Sequence, residues 1–220
     1  MSIDVIGEIL GRKSGTPCMT CSFQAEDMVV LRELLKHAPD IPVLFLDTGY
    51  HFAETIAYRD RMAKAWKLNL INLTAARSVA EQESEHGKLY QTHSDRCCNL
   101  RKVEPLIKAL ADYDIWFTGL RREQSLSRAK LEPVESHTLP SGKTLTKVSP
   151  LVFWTWDEVQ GYLWVNEIEA LPLYDKGYLS IGCEPCTSLP SDAANPRSGR
   201  WAGHKLECGI HTISAKDTVP

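Results

Sequence analysis

Long apolar runs are missing from this 220-residue chain, and none approaches the roughly 20 residues that a membrane-spanning helix needs. Its first five residues contain neither a basic region nor an apolar stretch, so no secretion signal is visible. Internal repeats and low-complexity tracts are also missing. These absences predict a soluble, cytoplasmic protein that does not contact a membrane.

A strong charge of either sign is missing as well. The formal net charge is only −3, which argues against bulk attraction to nucleic acid or to anionic lipid. An anionic substrate would therefore need a local group of basic residues. Hydrophobic residues make up 43% of the chain, as is typical of a globular protein that buries a core.

Seven cysteines are present, and the missing secretion signal argues against reading them as a disulfide framework. Metal ligation and thiol chemistry explain them better. Because the number is odd, a site with four cysteine ligands would still leave a thiol free to react.

Apolar periodicity predicts helices that alternate with strands. The predicted helices cover 3–10, 25–37, 51–67, 78–87, 97–110 and 155–167, and the predicted strands cover 17–23, 42–46, 68–73 and 114–118. This alternation favours an α/β fold with a parallel sheet, in which ligands bind beyond the carboxyl ends of the strands. We predict a domain over 1–172, followed by an irregular C-terminal segment over 173–220.

Four cysteines form two close pairs that fit one metal site. One pair is Cys97 with Cys98, and the other is Cys183 with Cys186 in a CxxC unit. Adjacent cysteines suit an iron–sulfur cluster, in which each sulfur binds a different iron, although spacing alone leaves zinc open. A second CxxC unit, Cys18 and Cys21, lies in a predicted strand, where residues three apart point to opposite faces. We interpret these two as core thiols.

Cys208 is the candidate nucleophile, because its segment, 207–211, is too polar to belong to a core. His204, Lys205 and His211 are close in sequence, and positive neighbours favour the reactive thiolate. The alternative is an incidental exposed cysteine. We interpret His86 and His137 as solvated surface histidines.

Polar loops follow three predicted strands, at 22–27, 47–49 and 119–125. The first leads into a helix whose backbone N–H groups could hold a phosphate, although this loop lacks glycines. In the third, Arg121 and Arg122 provide guanidinium groups that suit phosphate and sulfate oxygens, with a solvated basic face as the alternative. Arg197 and Arg200 form a second such pair shortly before the candidate nucleophile.

Taken together, these segments resemble the assimilatory adenylyl-sulfate reductases of bacteria. That family belongs to a larger group of 3′-phosphoadenylyl-sulfate reductases and ATP-pyrophosphatase-like folds. The matching segments run in the family's order, at 22–27, 46–49, 97–102 with Pro105 and Leu106, 118–125, 183–186 and 207–211.

The resemblance implies a Rossmann-like, adenine-nucleotide-binding fold and a [4Fe–4S] cluster on Cys97, Cys98, Cys183 and Cys186. Cys208 would attack adenylyl sulfate, and thioredoxin or glutaredoxin would release sulfite from the resulting S-sulfocysteine, in sulfate assimilation and cysteine biosynthesis. Lys102 would lie between cluster and substrate. The implied substrate contacts are Ser22, Gln24, Leu46, Gly49, Lys102, Arg121, Arg197, Arg200 and His211.

Two departures from the family pattern limit what is carried over. The histidine that commonly precedes the paired cysteines is here His93, four residues ahead and with Arg96 adjoining, so its role is left open. The chain ends without the thioredoxin-like domain of plant relatives, which implies an external thioredoxin. A homo-oligomer is compatible with the sequence.

Three other functions compete with this interpretation. The nearest is a reductase of the 3′-phosphorylated nucleotide, whose members generally lack the cysteine pairs. The second is an ATP-pyrophosphatase-type transferase, against which the missing Gly-rich pyrophosphate loop argues. The third is a non-enzymatic redox sensor that holds zinc or a cluster.

Overall fold

The computed structural model describes residues 3–12, 15–192, 195–203, 205 and 207–211. His204, counted above among the positive neighbours of Cys208, lies outside the described residues. The architecture is α/β, as predicted, with a six-stranded sheet in the order β3-β2-β1-β4-β6-β5. The strands are β1 Pro17–Thr20, β2 Pro42–Asp47, β3 Asn69–Thr74, β4 Ile115–Phe117, β5 Val134–Thr138 and β6 Thr144–Val148.

The sheet is parallel except at one edge. Neighbouring strands from β3 through β6 pair in parallel, while β5 pairs antiparallel with β6, with His137 opposite Leu145. The β5–β6 hairpin was not predicted. The parallel strands bring their carboxyl ends to one edge, where the loops after β1, β2 and β4 meet.

Helices cover both faces of the sheet. They are α1 Val5–Arg12, α2 Ala25–His37, α3 Ala53–Ala65, α4 Val79–His86, α5 Leu89–Thr92, α6 Ser94–Cys98, α7 Glu104–Leu110 and α8 Trp156–Val165. The bounds of α2 agree with the prediction. Thr155 caps α8 as predicted, because its side chain accepts a hydrogen bond from the Glu158 N–H.

The predicted helix over 97–110 is not continuous. A π-helical turn, Asn99–Val103, separates α6 from α7. Pro105 explains the interruption, because it has no N–H to donate and its ring would clash with the carbonyl four residues earlier, at Arg101. The wider turn carries Arg101 and Lys102, both of which are buried.

Two apolar clusters form the core, one on each face of the sheet. Alternation along β2 places Val43 and Phe45 in the larger cluster and Leu44 in the smaller one. Cys21 packs in the larger cluster and Cys18 in the smaller. The interpretation of these two cysteines as core thiols on opposite faces is therefore confirmed.

The C-terminal segment packs on the sheet domain without a gap in the core. Leu173 and Ile181 lie beyond the predicted boundary at 172, yet both are buried in the larger cluster with Leu171. The division into 1–172 and 173–220 stays a prediction. Within the described residues, no helix combines the length and the apolar character needed to cross a membrane.

Candidate active site

A cavity of about 510 Å³ opens at the carboxyl ends of β1, β2 and β4. The C-terminal segment closes its other side. Of the predicted site residues, those that line the cavity are Ser22, Gln24, Leu46, Lys102, Arg121, Arg197, Arg200, Cys208 and His211. The structure thus brings the candidate nucleophile and the basic residues to the strand ends, as the sequence predicts.

Gly49 is the exception among the predicted substrate contacts, because it lies outside the described lining of the cavity. Its φ of 71° fits the turn after β2, where its N–H donates to Asp47 Oδ1 over 3.1 Å. A Cβ here would lie 2.7 Å from Val79 Cγ2. Its contact with a substrate stays a prediction.

Asp27, which the sequence analysis missed, organises the loop after β1. Its carboxylate accepts hydrogen bonds from the Ser22 N–H and hydroxyl, both over 2.6 Å, and from the Gly119 N–H over 3.1 Å. Burial raises the pKa of Asp27 to about 6, although the bonds from Ser22 oppose this rise. The loops after β1 and β4 are therefore joined through one buried carboxylate.

Gln24 links the loop after β1 to the C-terminal segment. Its side-chain amide donates to Ser22 Oγ over 3.1 Å, and its Oε1 accepts the Ile181 N–H over 2.9 Å. The first N–H of α2, at Ala25, donates to the Tyr174 hydroxyl over 3.2 Å. These hydrogen bonds join the loop after β1 to the segment after 172, so that both form one wall of the cavity.

Arg121 lines the cavity but is already engaged in hydrogen bonds. Its Nε and Nη2 donate to Glu26 Oε1 over 3.1 and 2.9 Å, and its Nη1 donates to Glu123 Oε2 over 2.6 Å. Arg122 turns away and pairs with Glu132 over 3.1 Å. The fork of Arg121 is therefore held in place by carboxylates, and its contact with a substrate anion stays a prediction.

Arg200 and His211 present buried donor atoms to the cavity. Arg200 Nε and His211 Nδ1 have no hydrogen-bond partner among the described residues. The guanidinium of Arg200 lies 4.4 Å from the ring centre of Trp201, which fixes its orientation. Burial, followed by the charges of Lys147, Arg128 and other cations, lowers the pKa of His211 well below its usual range, so its imidazole is neutral.

Lys102 connects the cavity electrostatically with the cysteines. Burial disfavours its charge, but the thiolates of Cys183, Cys208 and Cys98 outweigh this effect and raise the pKa of Lys102. Lys102 is thus coupled electrostatically to these cysteines and also lines the cavity. Its placement between the cysteine pairs and the substrate stays a prediction.

The paired cysteines lie beside the π-helical turn and the C-terminal segment. Burial, followed by the charges of Cys98, Cys183 and Cys186, raises the pKa of Cys97 to about 11. Cys183 Sγ lies 3.3 Å from Thr48 Oγ1. The described side chains include no group of three His, Cys, Asp or Glu placed to hold one metal ion.

Three histidines complete the surroundings. His93 is exposed, and its carbonyl accepts the Cys97 N–H over 3.0 Å. His86 is only partly exposed, beside Arg96. His137 is buried against the ring of Trp116, and burial lowers the pKa of this histidine to about 4, so its interpretation as a solvated residue was wrong. The cause is the unpredicted hairpin, which turns the His137 side chain inward.

Sequence reasoning also missed His51, which follows the loop after β2. Its Nε2 lies 2.8 Å from the Leu46 carbonyl, and its ring packs against Phe45 at 4.8 Å between centroids. Burial lowers the pKa of His51. No sequence pattern pointed to His51, because a single histidine that follows Asp47 and Gly49 matches no recognised motif.

Comparisons with known proteins identify the family of this chain. Residues 16–189 match the phosphoadenosine phosphosulfate reductase domain. An adenosine 5′-phosphosulfate reductase of Rhodococcus opacus is 47% identical over 84% of this chain and 75% of its own length. One from Mycobacterium tuberculosis is 42% identical over 93% of this chain and 81% of its own length.

Solved structures show the same fold. A phosphoadenylyl-sulfate reductase from Candida auris, in a phosphate complex, has a TM-score of 0.71 and 24% identity, covering 86% of this chain and 91% of that one. An FMN adenylyltransferase from Candida glabrata has a TM-score of 0.61 and 15% identity, covering 85% of this chain and 62% of that one. The family match spans most of the chain. The chain belongs to the phosphoadenosine phosphosulfate reductase domain family.

Proposed function

We propose that this protein reduces adenylyl sulfate to sulfite and AMP, with Cys208 as the nucleophile, in sulfate assimilation and cysteine biosynthesis. The observation that carries the proposal is that Cys208 lines the same cavity as the strand-end loops and the basic residues. Curated relatives at 42–47% identity bear the name adenosine 5′-phosphosulfate reductase, which supports this substrate.

The two ends of the cavity differ in chemistry in a way that suits this substrate. Ser22, Gln24 and Leu46, at the ends of β1 and β2, would receive the nucleoside and its phosphate. Lys102, Arg197 and Arg200 would receive the sulfate end. Because these cations are buried, their attraction for an anion is stronger than it would be in water.

The first chemical step would transfer a sulfonyl group. The Cys208 thiolate attacks the sulfur of adenylyl sulfate, an S–S bond forms, and the bond between sulfur and the bridging oxygen breaks. AMP leaves with the electron pair of that bond, and the enzyme holds an S-sulfocysteine. Arg200 Nε, a buried donor without a described partner, would donate a hydrogen bond to a sulfonate oxygen, and the buried His211 Nδ1 would lie beside the same group.

The second step would use an external dithiol, thioredoxin or glutaredoxin. Its thiolate attacks Sγ of Cys208, sulfite leaves, and a mixed disulfide forms. The second thiol of the reductant then breaks this disulfide and returns Cys208 to its starting state. The two electrons thus come from the reductant. Since such dithiols and free cysteines persist in the cytoplasm, we place the reaction there.

Cys97, Cys98, Cys183 and Cys186 would hold a [4Fe–4S] cluster. The donor set fits, because all four cysteines are free thiols and thiolates are the ligands that such a cluster takes. A single zinc ion held by the same four thiolates is the alternative. When bound, the cluster would add structural order and local field rather than electrons, since the dithiol supplies both.

Mass spectrometry of the protein mixed with adenylyl sulfate, without a reductant, tests the proposal. We expect a gain of one SO₃ group that maps to Cys208 and that thioredoxin releases as sulfite. Cys208→Ala should bind AMP yet gain nothing, while Cys18→Ala, at a buried position away from the cavity, should gain the adduct. An adduct on another cysteine would refute the assignment of the nucleophile.

The second candidate substrate is the 3′-phosphorylated nucleotide, which the description of the matching family names. Comparing the rate of adduct formation on the two nucleotides separates the candidates. We expect faster reaction with adenylyl sulfate. A preference for the 3′-phosphorylated nucleotide would reassign the substrate and leave the chemistry of Cys208 unchanged.

A further inference from the structure

Lys147 is a buried cation that the proposed chemistry does not use. It lies on β6, outside the described lining of the cavity, and only 3% of its surface is exposed. Taking an ammonium group out of water is costly unless the group finds partners. Burial lowers the pKa of Lys147 to about 8, which shows how far its surroundings disfavour the charge.

The partners of Lys147 lead to the nucleophile's segment, 207–211. Its Nζ lies 5.1 Å from the ring centre of Trp116 and donates to the backbone carbonyl of His211 over 3.3 Å. The ring of His211 stacks on Trp116, with 5.7 Å between centroids and 17° between planes. Trp116 is fixed in turn, because its Nε1–H donates to Thr20 Oγ1 over 2.9 Å.

Apolar contacts also hold the residues that follow Cys208. Ile210 packs against the smaller core cluster, which contains Trp116 and Leu106. Gly209 adopts a φ of 91°, and a Cβ there would lie 3.4 Å from Val103 Cγ2 in the π-helical turn. The residues after Cys208 therefore pack against β4, β6 and the π-helical turn.

The chain before Cys208 has its own anchor. Glu207 accepts hydrogen bonds from Arg128 Nε and Nη2 over 2.9 and 2.8 Å. The hydroxyls of Ser127 and Ser125 donate to the same carboxylate over 3.0 and 3.2 Å. Arg128 belongs to a 3₁₀ turn, Leu126–Arg128, in the loop after β4.

We infer that Lys147 and Arg128 are positioning residues that dock the segment 207–211 from both sides and so hold the Cys208 thiol at the cavity. The inference rests on the proposed role of Cys208 for its functional meaning. The docking itself is independent of that role, because it concerns only where the thiol is held. Lys147 lies outside the described lining of the cavity, whereas Arg128 lines it and acts here through its hydrogen bonds to Glu207.

Alkylation of Cys208 tests the docking without any substrate. The Cys208 thiol is half-buried while the segment 207–211 is docked. Because loss of the Lys147 ammonium should loosen this docking, we expect Lys147→Met to raise the rate at which iodoacetamide alkylates Cys208 about five-fold, as mapped by mass spectrometry. Lys143→Met is the matched control. It lies on the same hairpin, but its Nζ donates to the Ala111 carbonyl over 2.8 Å, away from the segment. We expect the control to react like the wild type.

Arg128→Gln should give a similar rise, with Arg122→Gln as its control in the same loop. Should Lys147→Met fail to fold, Lys147→Gln tests the same position, with a smaller expected rise because its amide can still donate to the His211 carbonyl. Unchanged alkylation in the folded variants of both anchors would overturn the inference, whatever becomes of the proposed reaction.

A kinetic comparison separates positioning from general damage. For Lys147→Met we expect AMP affinity within two-fold of the wild type and adduct formation about ten-fold slower in a single turnover. Lys147→Arg should recover part of the rate. Equal losses in AMP affinity and in adduct formation would show a merely structural role. If no variant or wild-type protein forms an adduct, the proposed function fails, while the alkylation result still decides the docking.

Discussion

Arg200 and Arg121 are both buried arginines in the cavity wall, yet their hydrogen bonding differs. Arg121 donates through its fork to Glu26 and Glu123, whereas Arg200 Nε has no partner among the described residues. A buried donor without a partner is costly, and a bound anion would satisfy it. Arg200 is therefore the better candidate for direct contact with the sulfate.

Arg200→Lys tests this difference, because lysine keeps the charge and loses the planar fork. A hydrogen bond to a charged group contributes about 1.5–3 kcal/mol, so we expect kcat/KM for adenylyl sulfate to fall roughly 10- to 100-fold. Arg61→Lys is the control, since Arg61 is half exposed and pairs with Glu169 on the surface. Activity close to that of the wild type in Arg200→Lys would contradict the assignment.

Asp27 predicts a particular pH dependence of stability. Its pKa is raised from 3.8 to about 6 in the folded state, mainly by burial. Between these values the folded state binds more protons than the unfolded state, so the free energy of unfolding falls as pH rises from about 4 to 6. The decrease in the free energy of unfolding is complete at neutral pH and amounts to about 3 kcal/mol at most.

Asp27→Asn should remove this contribution to the change of the free energy of unfolding with pH. We expect urea unfolding at several pH values between 4 and 7 to show that the free energy of unfolding of the wild type, relative to that of Asp27→Asn, falls as pH rises. The exposed Asp40 supplies the control, Asp40→Asn. Identical slopes in the wild type and Asp27→Asn would disprove the role of burial.

At this scale, the sequence was informative where a residue type has one dominant use. Cys208 and the basic residues Lys102, Arg121, Arg197 and Arg200 line the cavity as predicted. Arg122 does not, because it pairs with Glu132 instead. Asp27 escaped notice because an acidic residue in the first turn of a helix usually serves the helix dipole. Its partners at Ser22 and Gly119 become visible only when two loops meet in space.

Gly119 shows how tightly the strand-end loops are packed. A Cβ at this position would lie 2.3 Å from Asp27 Oδ1 and 2.9 Å from the Asp27 backbone nitrogen. The backbone of α2 would therefore have to move. We expect Gly119→Ala to destabilise the protein by about 1–3 kcal/mol, measured by urea unfolding, and to weaken AMP binding.

Gly161 provides a control of opposite sign. It lies within α8, and a Cβ there would meet nothing within 4 Å. Replacing glycine by alanine inside a helix stabilises it, so we expect Gly161→Ala to gain about 0.5–1 kcal/mol. A loss of stability at Gly161, or none at Gly119, would show that the contacts at these positions do not govern stability.

Elements were predictable where one periodicity runs unbroken. The apolar pattern located α2 and the four parallel strands nearest the site, and Thr155 located the start of α8. The β5–β6 hairpin was missed because its strands carry threonine, glutamate and lysine rather than an apolar alternation. The break before α7 was missed because Pro105 is also compatible with the first turn of a helix.

On the scale of the whole molecule, the cavity joins two parts of the chain that are far apart in sequence. Its walls come from the strand ends and from described residues in two ranges, 179–182 and 196–211 without 204 and 206. A ligand that binds the folded state alone stabilises it by about 2.7 kcal/mol at a hundred times its Kd. For a chain of this size we expect AMP at that concentration to raise Tm by about 5–10 °C in calorimetry.

The same reasoning locates the effect along the chain. Hydrogen exchange should slow on AMP binding in the loop after β1 and in residues 179–187, because Gln24 bonds to Ile181 across the wall. Surface helices such as α1, remote from the cavity, serve as the internal control. Protection limited to the sheet domain would show that nucleotide binding does not involve the C-terminal segment.

The cysteine pairs lead to the last expectation, which concerns metal content. Because Cys97 and Cys98 belong to the sheet domain while Cys183 and Cys186 belong to the C-terminal segment, a shared cluster would tie the two together. We expect the anaerobically purified protein to contain about four iron and four sulfide ions per chain. Cys183→Ser should lose most of the iron, and Cys18→Ala, whose thiol lies in the core, should keep it.

Losing the cluster should also speed proteolytic cleavage after 172, because the cluster no longer links the C-terminal segment to the sheet domain. One zinc ion per chain would instead identify the site as zinc-binding, and metal-free protein with unchanged resistance to proteolysis would show that the packing of Leu173 and Ile181 alone holds the segment.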